Sequence, residues 1–286
     1  MIRTKKSLYS QIKNITFAHQ QMNDTRYSYH DDVFSLKQAG SYVLLLQIHA
    51  GTFSYAVTFN NRLLSWSTGH PVKELTEPEE LDDLLSAPFK QVIVGIPAAG
   101  FTLIPETLYN DAHLQHFARF LNVQADEKVF VQQIDSENRI VYKVTDAINT
   151  AAAKFGLPSS VFAAKGWIKA IAATNPEDYT LYADINGNKI TLLNYSFGKL
   201  RYFNSFKFYN ADELAYYAAL ACEQLKLQPK RITVSLSGEA EKDDANTQRL
   251  AQFFEKVNIN DLSILKLPAQ VAPQHILSLS ALTLCG

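Results

Sequence analysis

Two stretches of the chain, Tyr42-Val-Leu-Leu-Leu-Gln-Ile-His49 and Tyr179-Thr-Leu-Tyr-Ala-Asp-Ile-Asn186, align at one constant offset, with identical residues at Tyr42 and Tyr179, Leu44 and Leu181, and Ile48 and Ile185. Both read as strands, and each is followed by a second run in which apolar and polar residues alternate. We call the numbering difference between Tyr42 and Tyr179 the repeat offset. It also places Leu63 with Leu200, well beyond the matching stretches. A duplicated domain is the economical explanation of this repeat.

The first half predicts three antiparallel strands, then a helix and a buried strand. The strand-like runs cover residues 42–48, 53–59 and 63–67. Asn60-Asn61 is typical of a hairpin turn, and Thr76-Glu-Pro-Glu79 has the pattern of a capping box that starts a helix. Gln91–Ile96 is continuously apolar after its first residue, which indicates a strand covered on both faces.

The second half repeats this order of elements. Strands are expected over residues 180–185, 189–194 and 199–206, and Asn210 followed by Glu213 predicts a helix start. The next strand, 230–236, matches 90–96 at a slightly larger offset, which aligns Val94 with Val234. We further align the helical apolar positions Leu114, Phe117 and Leu121 with Leu250, Phe253 and Val257, and expect closing strands near 129–133 and 262–265.

Each half therefore has the order β-β-β-α-β-α-β-α. With right-handed crossovers, this order gives a five-stranded mixed sheet with helices on both faces. The predicted fold is α/β, the ribonuclease-H-like unit doubled as in the actin, sugar-kinase and Hsp70 group. We divide the chain into an N-terminal arm or edge element (1–41), a first actin-like domain (42–158) and a second actin-like domain (159–286).

Composition excludes several classes of protein. The 286 residues are 47% hydrophobic and 19% charged, as in a packed globular protein. The net charge is −1 and the basic residues are scattered, so we expect no nucleic acid partner. No run approaches the roughly 20 apolar residues that span a bilayer, so we expect no membrane insertion. Cys222 and Cys285 form neither a disulfide framework nor a zinc motif, which favours the cytoplasm.

The hairpin turn between the first two strands of each half is the candidate nucleotide site. In actin-like ATPases this turn holds phosphate on backbone N–H groups, and a carboxylate nearby holds Mg²⁺ through water. Gly51-Thr52 fits such a turn in the first half, but Gln47 or His49 stands where the carboxylate should be. The second half has Asp184, with Gly187 one place later than usual.

A third candidate, Gly238 in Leu236-Ser-Gly-Glu-Ala240, resembles an adenosine-side loop, with one glycine where a pair is typical. If a nucleotide binds, the predicted contacts are Gly51, Thr52, Asp184, Gly187 and Gly238. The structural alternative is that Asp184 caps a turn, that Gly51 and Gly187 supply positive φ, and that Gly238 makes a strand-to-helix turn.

No catalytic residue or metal site is predicted, and His30-Asp31-Asp32 is expected to be a solvated loop. The aromatic strand 200–209 has two faces of different character. Phe206 and Phe208 are expected in the core, whereas Phe203, Lys207 and Tyr209 share the face expected to meet a partner or the other domain.

Four segments, Leu200–Phe206, Ala211–Tyr217, Glu223–Leu225 and Val234–Glu239, resemble an uncharacterised family of Bacteroidetes proteins described as having an actin-like ATPase fold. The resemblance runs from about residue 35 to the end and implies the fold, but it brings no activity or site residue. The chain is more distantly similar to actin-like assembly proteins of pili, secretion systems and cell division. We expect a non-catalytic actin-like protein with a degenerate nucleotide cleft and a protein partner. The alternative is an ATP-binding enzyme or ATP-driven switch.

Overall fold

The computed structural model describes residues 27–156 and 160–286. Within these ranges the strands are β1 (Ser28–His30), β2 (Val43–Ile48), β3 (Thr52–Phe59), β4 (Arg62–Pro71), β5 (Gln91–Ile96), β6 (Gly100–Pro105), β7 (Glu127–Gln133), β8 (Asn138–Thr145), β9 (Ser160–Phe162), β10 (Thr180–Asn186), β11 (Lys189–Ser196), β12 (Lys199–Lys207), β13 (Thr233–Gly238) and β14 (Lys256–Ile259). The α-helices are α1 (Lys73–Thr76), α2 (Asp82–Leu85), α3 (Leu114–Ala118), α4 (Asp146–Ala153), α5 (Lys165–Ala172), α6 (Ala211–Gln224), α7 (Ala245–Phe253) and α8 (Pro273–Ser280).

Two sheets have the same core strand order. The first is β4-β3-β2-β5-β9 and the second is β12-β11-β10-β13-β14. In each, the meander strands are antiparallel and the last two strands are parallel to the central one. This confirms the predicted doubled ribonuclease-H-like fold, with one correction. The first sheet has six strands, because β1 pairs antiparallel with β4.

The repeat offset holds through both meanders. Leu44 pairs with Val57, and Leu181 pairs with Asn194. The register also shifts at the same place, directly after Val57 in the first meander and directly after Asn194 in the second. The two meanders therefore share this irregularity as well as their pairing, and the first has one further shift, between Phe53 and Tyr55.

The offset changes at the fourth core strand, and the alignment of Val94 with Val234 is wrong. Leu44 pairs with Val92 in β5, and Leu181 pairs with Val234 in β13. Val92 is therefore the equivalent of Val234. A shift of two residues leaves every side chain on the same face of a strand, so the hydrophobic pattern could not reveal this error.

A separate three-stranded antiparallel sheet, β6-β8-β7, interrupts the first half between β5 and β9. Leu114 and Phe117 of α3 cover this small sheet, whereas α7 lies between β13 and β14 of the second large sheet. Their predicted equivalence is wrong, because any amphipathic helix has the same apolar spacing. The closing strands of the large sheets are β9 and β14, and residues 262–265 form no strand.

The first sheet draws on both predicted domains. Ser160–Phe162 pairs with Val94–Ile96, so a boundary between residues 158 and 159 cuts this sheet. Near the C-terminus, Ile276 and Leu279 of α8 pack in one cluster with Leu45 and Ala56 of the first sheet. Residues 1–26 of the predicted arm lie outside the described residues, and the rest of the arm supplies the edge strand β1.

The helix starts follow the sequence only in part. The Asn210 side chain accepts a hydrogen bond from the Glu213 N–H at 2.9 Å, as expected for the cap of α6. The capping box at residues 76–79 is wrong, because α1 ends at Thr76 and α2 begins only at Asp82. The Glu74 carboxylate instead accepts from the N–H groups of residues 79, 80 and 81, which stabilises a turn.

Strand β12 keeps the predicted register but not the predicted burial. Phe208 is buried, whereas Phe206 is only half-buried and stacks on Tyr217 at 4.5 Å between ring centroids. Phe203, on the other face, is buried against Phe101 of the small sheet at 5.0 Å. That face therefore meets the first half of the chain. Among the described residues, no helix has the length and apolar character needed to cross a bilayer.

Candidate functional site: the cleft between the hairpin turns

The turn between β2 and β3 and the turn between β10 and β11 meet at a cavity of about 130 Å³. His49 and Thr52 line it from the first turn, and Asn186 and Gly187 line it from the second. Gly238, at the end of β13, lies in the same lining. The structure thus brings Thr52, Gly187 and Gly238 together, whereas Gly51 and Asp184 are not among the described residues that line the cavity.

Gln47 is the first-half equivalent of Asp184. Gln47 pairs with Ser54 in β3, and Asp184 pairs with Thr191 in β11, so the two occupy the same position in the repeated hairpin. Gln47 lines the cavity, and its Nε2 donates to Oγ of Ser278 on α8 at 2.9 Å. A neutral amide therefore stands at the position where the first half would need a carboxylate for Mg²⁺.

His49 is a neutral base at the rim of the first turn. Burial and the nearby positive charge of Lys189 lower the pKa of His49 to about 4, so its imidazole is uncharged at neutral pH. Its Nε2 lies 3.5 Å from Oγ of Ser54. A neutral imidazole is a poor ligand for Mg²⁺, which prefers oxygen.

Asp184, behind the second turn, is a partly buried residue whose carboxyl oxygen Oδ1 is shielded from solvent. Burial, and next the negative charge of Glu239, raise the pKa of Asp184 to about 7, while Lys189 and the Ser237 hydroxyl act in the opposite direction. Its Oδ1 has no hydrogen-bond partner in the described part of the chain. Burial also lowers the pKa of Lys189. Asp184 is therefore a partly protonated acid near neutral pH.

The side chain of Glu239 accepts the hydrogen bond of a backbone N–H group in the second turn. The Gly187 N–H donates to Oε2 of Glu239 at 3.1 Å. Glu239 directly follows Gly238, and its own N–H donates to the Ile185 carbonyl at 2.7 Å, which fixes the residue beside the turn. Glu239 was not among the residues predicted from the sequence. The available signal was a carboxylate placed next to the glycine of a loop expected to hold phosphate.

The three candidate glycines differ in backbone conformation and in the space available for a side chain. Gly238 has φ +79°, and a Cβ there would lie 2.0 Å from the Ile185 carbonyl oxygen, so no other residue fits. Gly187 has φ +55°, as expected for its turn. Gly51 does not have positive φ, and a Cβ there would meet nothing within 4 Å. The predicted positive φ at Gly51 is therefore wrong.

Helix α8 and the residue before β1 close one wall of the cavity. The ring of His275 stacks on Tyr27 at 4.2 Å, and its nitrogens lie 2.9 Å from the Gly238 carbonyl oxygen and 2.9 Å from Oε1 of Glu241. Burial raises the pKa of Tyr27, and the charges of Glu241, Glu239 and Asp244 raise it further. This wall of the cleft is therefore rich in negative charge.

The His30-Asp31-Asp32 segment differs from its prediction in one respect. Asp31 is buried and pairs with Arg62 at 2.5 Å, so it is not a solvated loop residue. No group of three or more potential metal ligands occurs within residues 27–156 and 160–286.

The doubled sheets, with their two first hairpins meeting at one cleft, define the class of proteins with an actin-like ATPase fold. Within this class, the chain belongs to the family described as protein of unknown function, DUF3822, which it matches over residues 31–257. No curated protein matches the chain.

Solved structures resemble the chain at low sequence identity. A Bacteroides thetaiotaomicron VPI-5482 protein of unknown function with an actin-like ATPase fold matches with a TM-score of 0.72 at 18% identity, over 88% of this chain and 99% of that one. A type IV pilus biogenesis complex, PilM-PilN, matches with a TM-score of 0.54 at 14% identity, over 83% of this chain and 97% of that one. Likeness at these identities establishes the fold alone.

Proposed function

We propose that the protein is a non-catalytic actin-like protein with a degenerate nucleotide cleft, and that it acts through contacts with a protein partner. The hydrogen bond from the Gly187 N–H to the Glu239 carboxylate carries this proposal. A phosphate group bound to this turn would have to displace Glu239 and then remain beside its negative charge. Like charges at such a distance repel each other.

Two further features support the proposal. The cavity of about 130 Å³ is smaller than the roughly 300–1,000 Å³ of ordinary small-molecule sites. Gln47 also replaces one of the two carboxylates expected near Mg²⁺. The other carboxylate, Asp184, has a pKa raised to about 7, so it is only partly ionised at neutral pH. The residues present are therefore a poor match to magnesium and a nucleoside triphosphate.

The proposal of a protein partner rests on analogy and on surface character. The structural neighbour PilM is part of a complex with PilN. This chain exposes several large aromatic side chains, including Phe197, Tyr209 and Tyr216, on the second half of the chain. We place the protein in the cytoplasm, since Cys222 and Cys285 are free thiols.

The competing function is an ATP-binding enzyme or an ATP-driven switch that uses Gly51, Thr52, Asp184, Gly187 and Gly238. Thermal unfolding with and without Mg-ATP distinguishes the two. A ligand at about 100 times its Kd stabilises the native state by about 2.7 kcal/mol, which raises the Tm by roughly 5–10 °C in a protein of this size. For a degenerate cleft we expect millimolar Mg-ATP to raise the Tm by less than about 1 °C. A shift of the larger size would favour the ATP-dependent function.

A further inference from the structure

A second concave surface lies at the end of the second sheet that is remote from the cleft. Strand β10 runs from Thr180 to the cleft at Asn186, and this groove of about 380 Å³ opens at the Thr180 end. The lining residues used below are Asp178, Tyr179, Phe197, Arg201, Leu225 and Lys226. Its volume lies within the usual range of ligand sites.

Phe197 is exposed in a backbone conformation that phenylalanine disfavours. It has φ +51° in the two-residue turn between β11 and β12 and is 88% exposed. Under the repeat offset its first-half equivalent is Asn60, with φ +47°. Asparagine is among the residue types that this turn prefers, whereas a bulky side chain is strained there. Neither folding nor packing therefore accounts for the aromatic ring at Phe197.

In the first half, the surface that corresponds to this groove is covered by aromatic side chains. Tyr42, the equivalent of Tyr179, is only 2% exposed, because Phe34 and Phe59 pack around it at ring distances of 5.9 and 5.6 Å. Phe34 belongs to the segment that precedes β2. Tyr179, in contrast, is 59% exposed. In the second half, the position beside Tyr179 is therefore open, whereas the equivalent position beside Tyr42 in the first half is filled by an aromatic side chain.

The charge of the groove indicates the character of its occupant. Arg201 and Lys226 are both exposed, and neither forms an ion pair in the part of the chain that the structure describes. The Asp178 carboxylate accepts a hydrogen bond from the Phe197 N–H at 2.7 Å, so it is already engaged in holding the turn. The groove therefore offers two unpaired cations beside two exposed aromatic rings.

We propose that this groove binds a segment of a partner protein that carries an aromatic side chain flanked by Asp or Glu. The aromatic ring would lie against Tyr179 and Phe197, as Phe34 lies against Tyr42, and the carboxylates would pair with Arg201 and Lys226. Exposed aromatic and arginine side chains are the usual anchors of protein interfaces. The inference rests on the protein-partner element of the proposed function and names its surface.

The surface favours a peptide over a membrane. A concave groove fits a protruding side chain, whereas a bilayer presents a broad and nearly flat surface.

The test is selection of short random peptides displayed on phage against the full-length protein. We expect enriched peptides to combine an aromatic residue with Asp or Glu, and synthetic copies to bind at least ~10-fold more weakly to Phe197→Asn and to the double variant Arg201→Glu, Lys226→Glu. The matched controls are Phe120→Asn, which removes an aromatic ring that is 79% exposed outside the groove, and Lys242→Glu, at an exposed position in the loop after β13. Both should bind normally.

Phe197→Asn also separates binding from folding. Asparagine relieves the strain of the turn, so this variant should unfold at the same or a higher Tm than the wild type while it loses peptide binding. Loss of binding with a lower Tm would indicate a structural role for Phe197 and would overturn the proposal.

Three other outcomes also contradict the proposal. They are absence of enrichment, enrichment of basic peptides, and equal binding to wild type and Phe197→Asn. Wild-type binding to phosphatidylserine vesicles that Phe197→Asn abolishes would assign the surface to membranes, and self-association with the same dependence would assign it to a second copy. None of these results depends on whether the cleft binds Mg-ATP, so the two proposals fail separately.

Discussion

The Oε2 atom of Glu239 lies 3.1 Å from the backbone nitrogen of Gly187 and accepts its hydrogen bond. The two residues come from different strands, since Glu239 follows β13 and Gly187 begins the turn after β10. The fold therefore brings a carboxylate to the turn where the actin-like class binds a phosphate. Because Gly238 and the Ile185 carbonyl fix Glu239 in place, this contact is part of the folded structure of the cleft.

Gly238→Ala should destabilise the protein strongly. Its Cβ would lie 2.0 Å from the Ile185 carbonyl oxygen at φ +79°, so β10 and β13 would have to separate locally. We expect a loss of roughly 2–4 kcal/mol in the free energy of unfolding, measured by urea denaturation. Gly51→Ala is the matched control and should change this free energy by less than about 1 kcal/mol, since its Cβ meets nothing within 4 Å. Equal effects would contradict the geometry.

Asp184→Asn should stabilise the protein at high pH but not at low pH. The folded-state pKa of about 7 lies above the ordinary value of 3.8, so the folded state binds the proton more tightly. The cost of ionising Asp184 is absent below pH 4, grows between pH 4 and 7, and is complete above pH 7.

Urea denaturation at several pH values measures this difference. At acidic pH the variant should differ from the wild type only by the pH-independent effect of replacing a carboxylic acid with an amide. Between pH 4.5 and pH 8 it should gain on the order of 3 kcal/mol relative to the wild type, since one pKa unit corresponds to about 1.4 kcal/mol. Asp243→Asn, at an exposed position in the loop after β13, is the control. A difference that is constant with pH, or that falls as pH rises, would show that Asp184 is not buried as described.

Phe203→Ala should cost more stability than Phe206→Ala, although the sequence pattern favours the opposite order. Phe203 is 7% exposed and contacts Phe101 and Phe162, so its removal leaves a cavity between the two halves of the chain. We expect a loss of about 3–5 kcal/mol for Phe203→Ala and of about 1–2 kcal/mol for the half-buried Phe206→Ala. Thermal and urea unfolding of both variants provide the comparison, and a larger effect at Phe206 would refute the assigned faces.

The meanders were predictable from sequence because their pattern is local. Alternation of apolar residues, the Asn60-Asn61 turn and the constant repeat offset each constrain the same hairpins, and the structure reproduces them down to a shared register shift. The small sheet β6-β8-β7 was not predictable in this way. Helix α3, which covers this sheet, has the same apolar spacing as α7. The strand that ends the first large sheet, Ser160–Phe162, is only three residues long. A pattern that short carries little periodicity.

The cleft was predictable in position but not in detail. Strand order placed the turns that contain Gly51 and Gly187 at one cavity, and the sequence showed that a first-half carboxylate is missing. The role of Glu239 depends on the approach of β13 to the turn after β10, which is a tertiary contact between residues 52 positions apart. The pKa of Asp184 likewise depends on burial by side chains distant in sequence.

The most direct test of the degenerate cleft is calorimetric titration of the wild-type protein with Mg-ATP at neutral pH. The proposal predicts no saturable heat of binding at concentrations up to about 1 mM, where a Kd of that size corresponds to only about 4 kcal/mol. A saturable isotherm with a Kd of roughly 1 µM, or about 8 kcal/mol of binding free energy, would contradict it. Glu239 would then have to leave the Gly187 N–H on binding, and the protein would belong with the nucleotide-dependent members of its fold class.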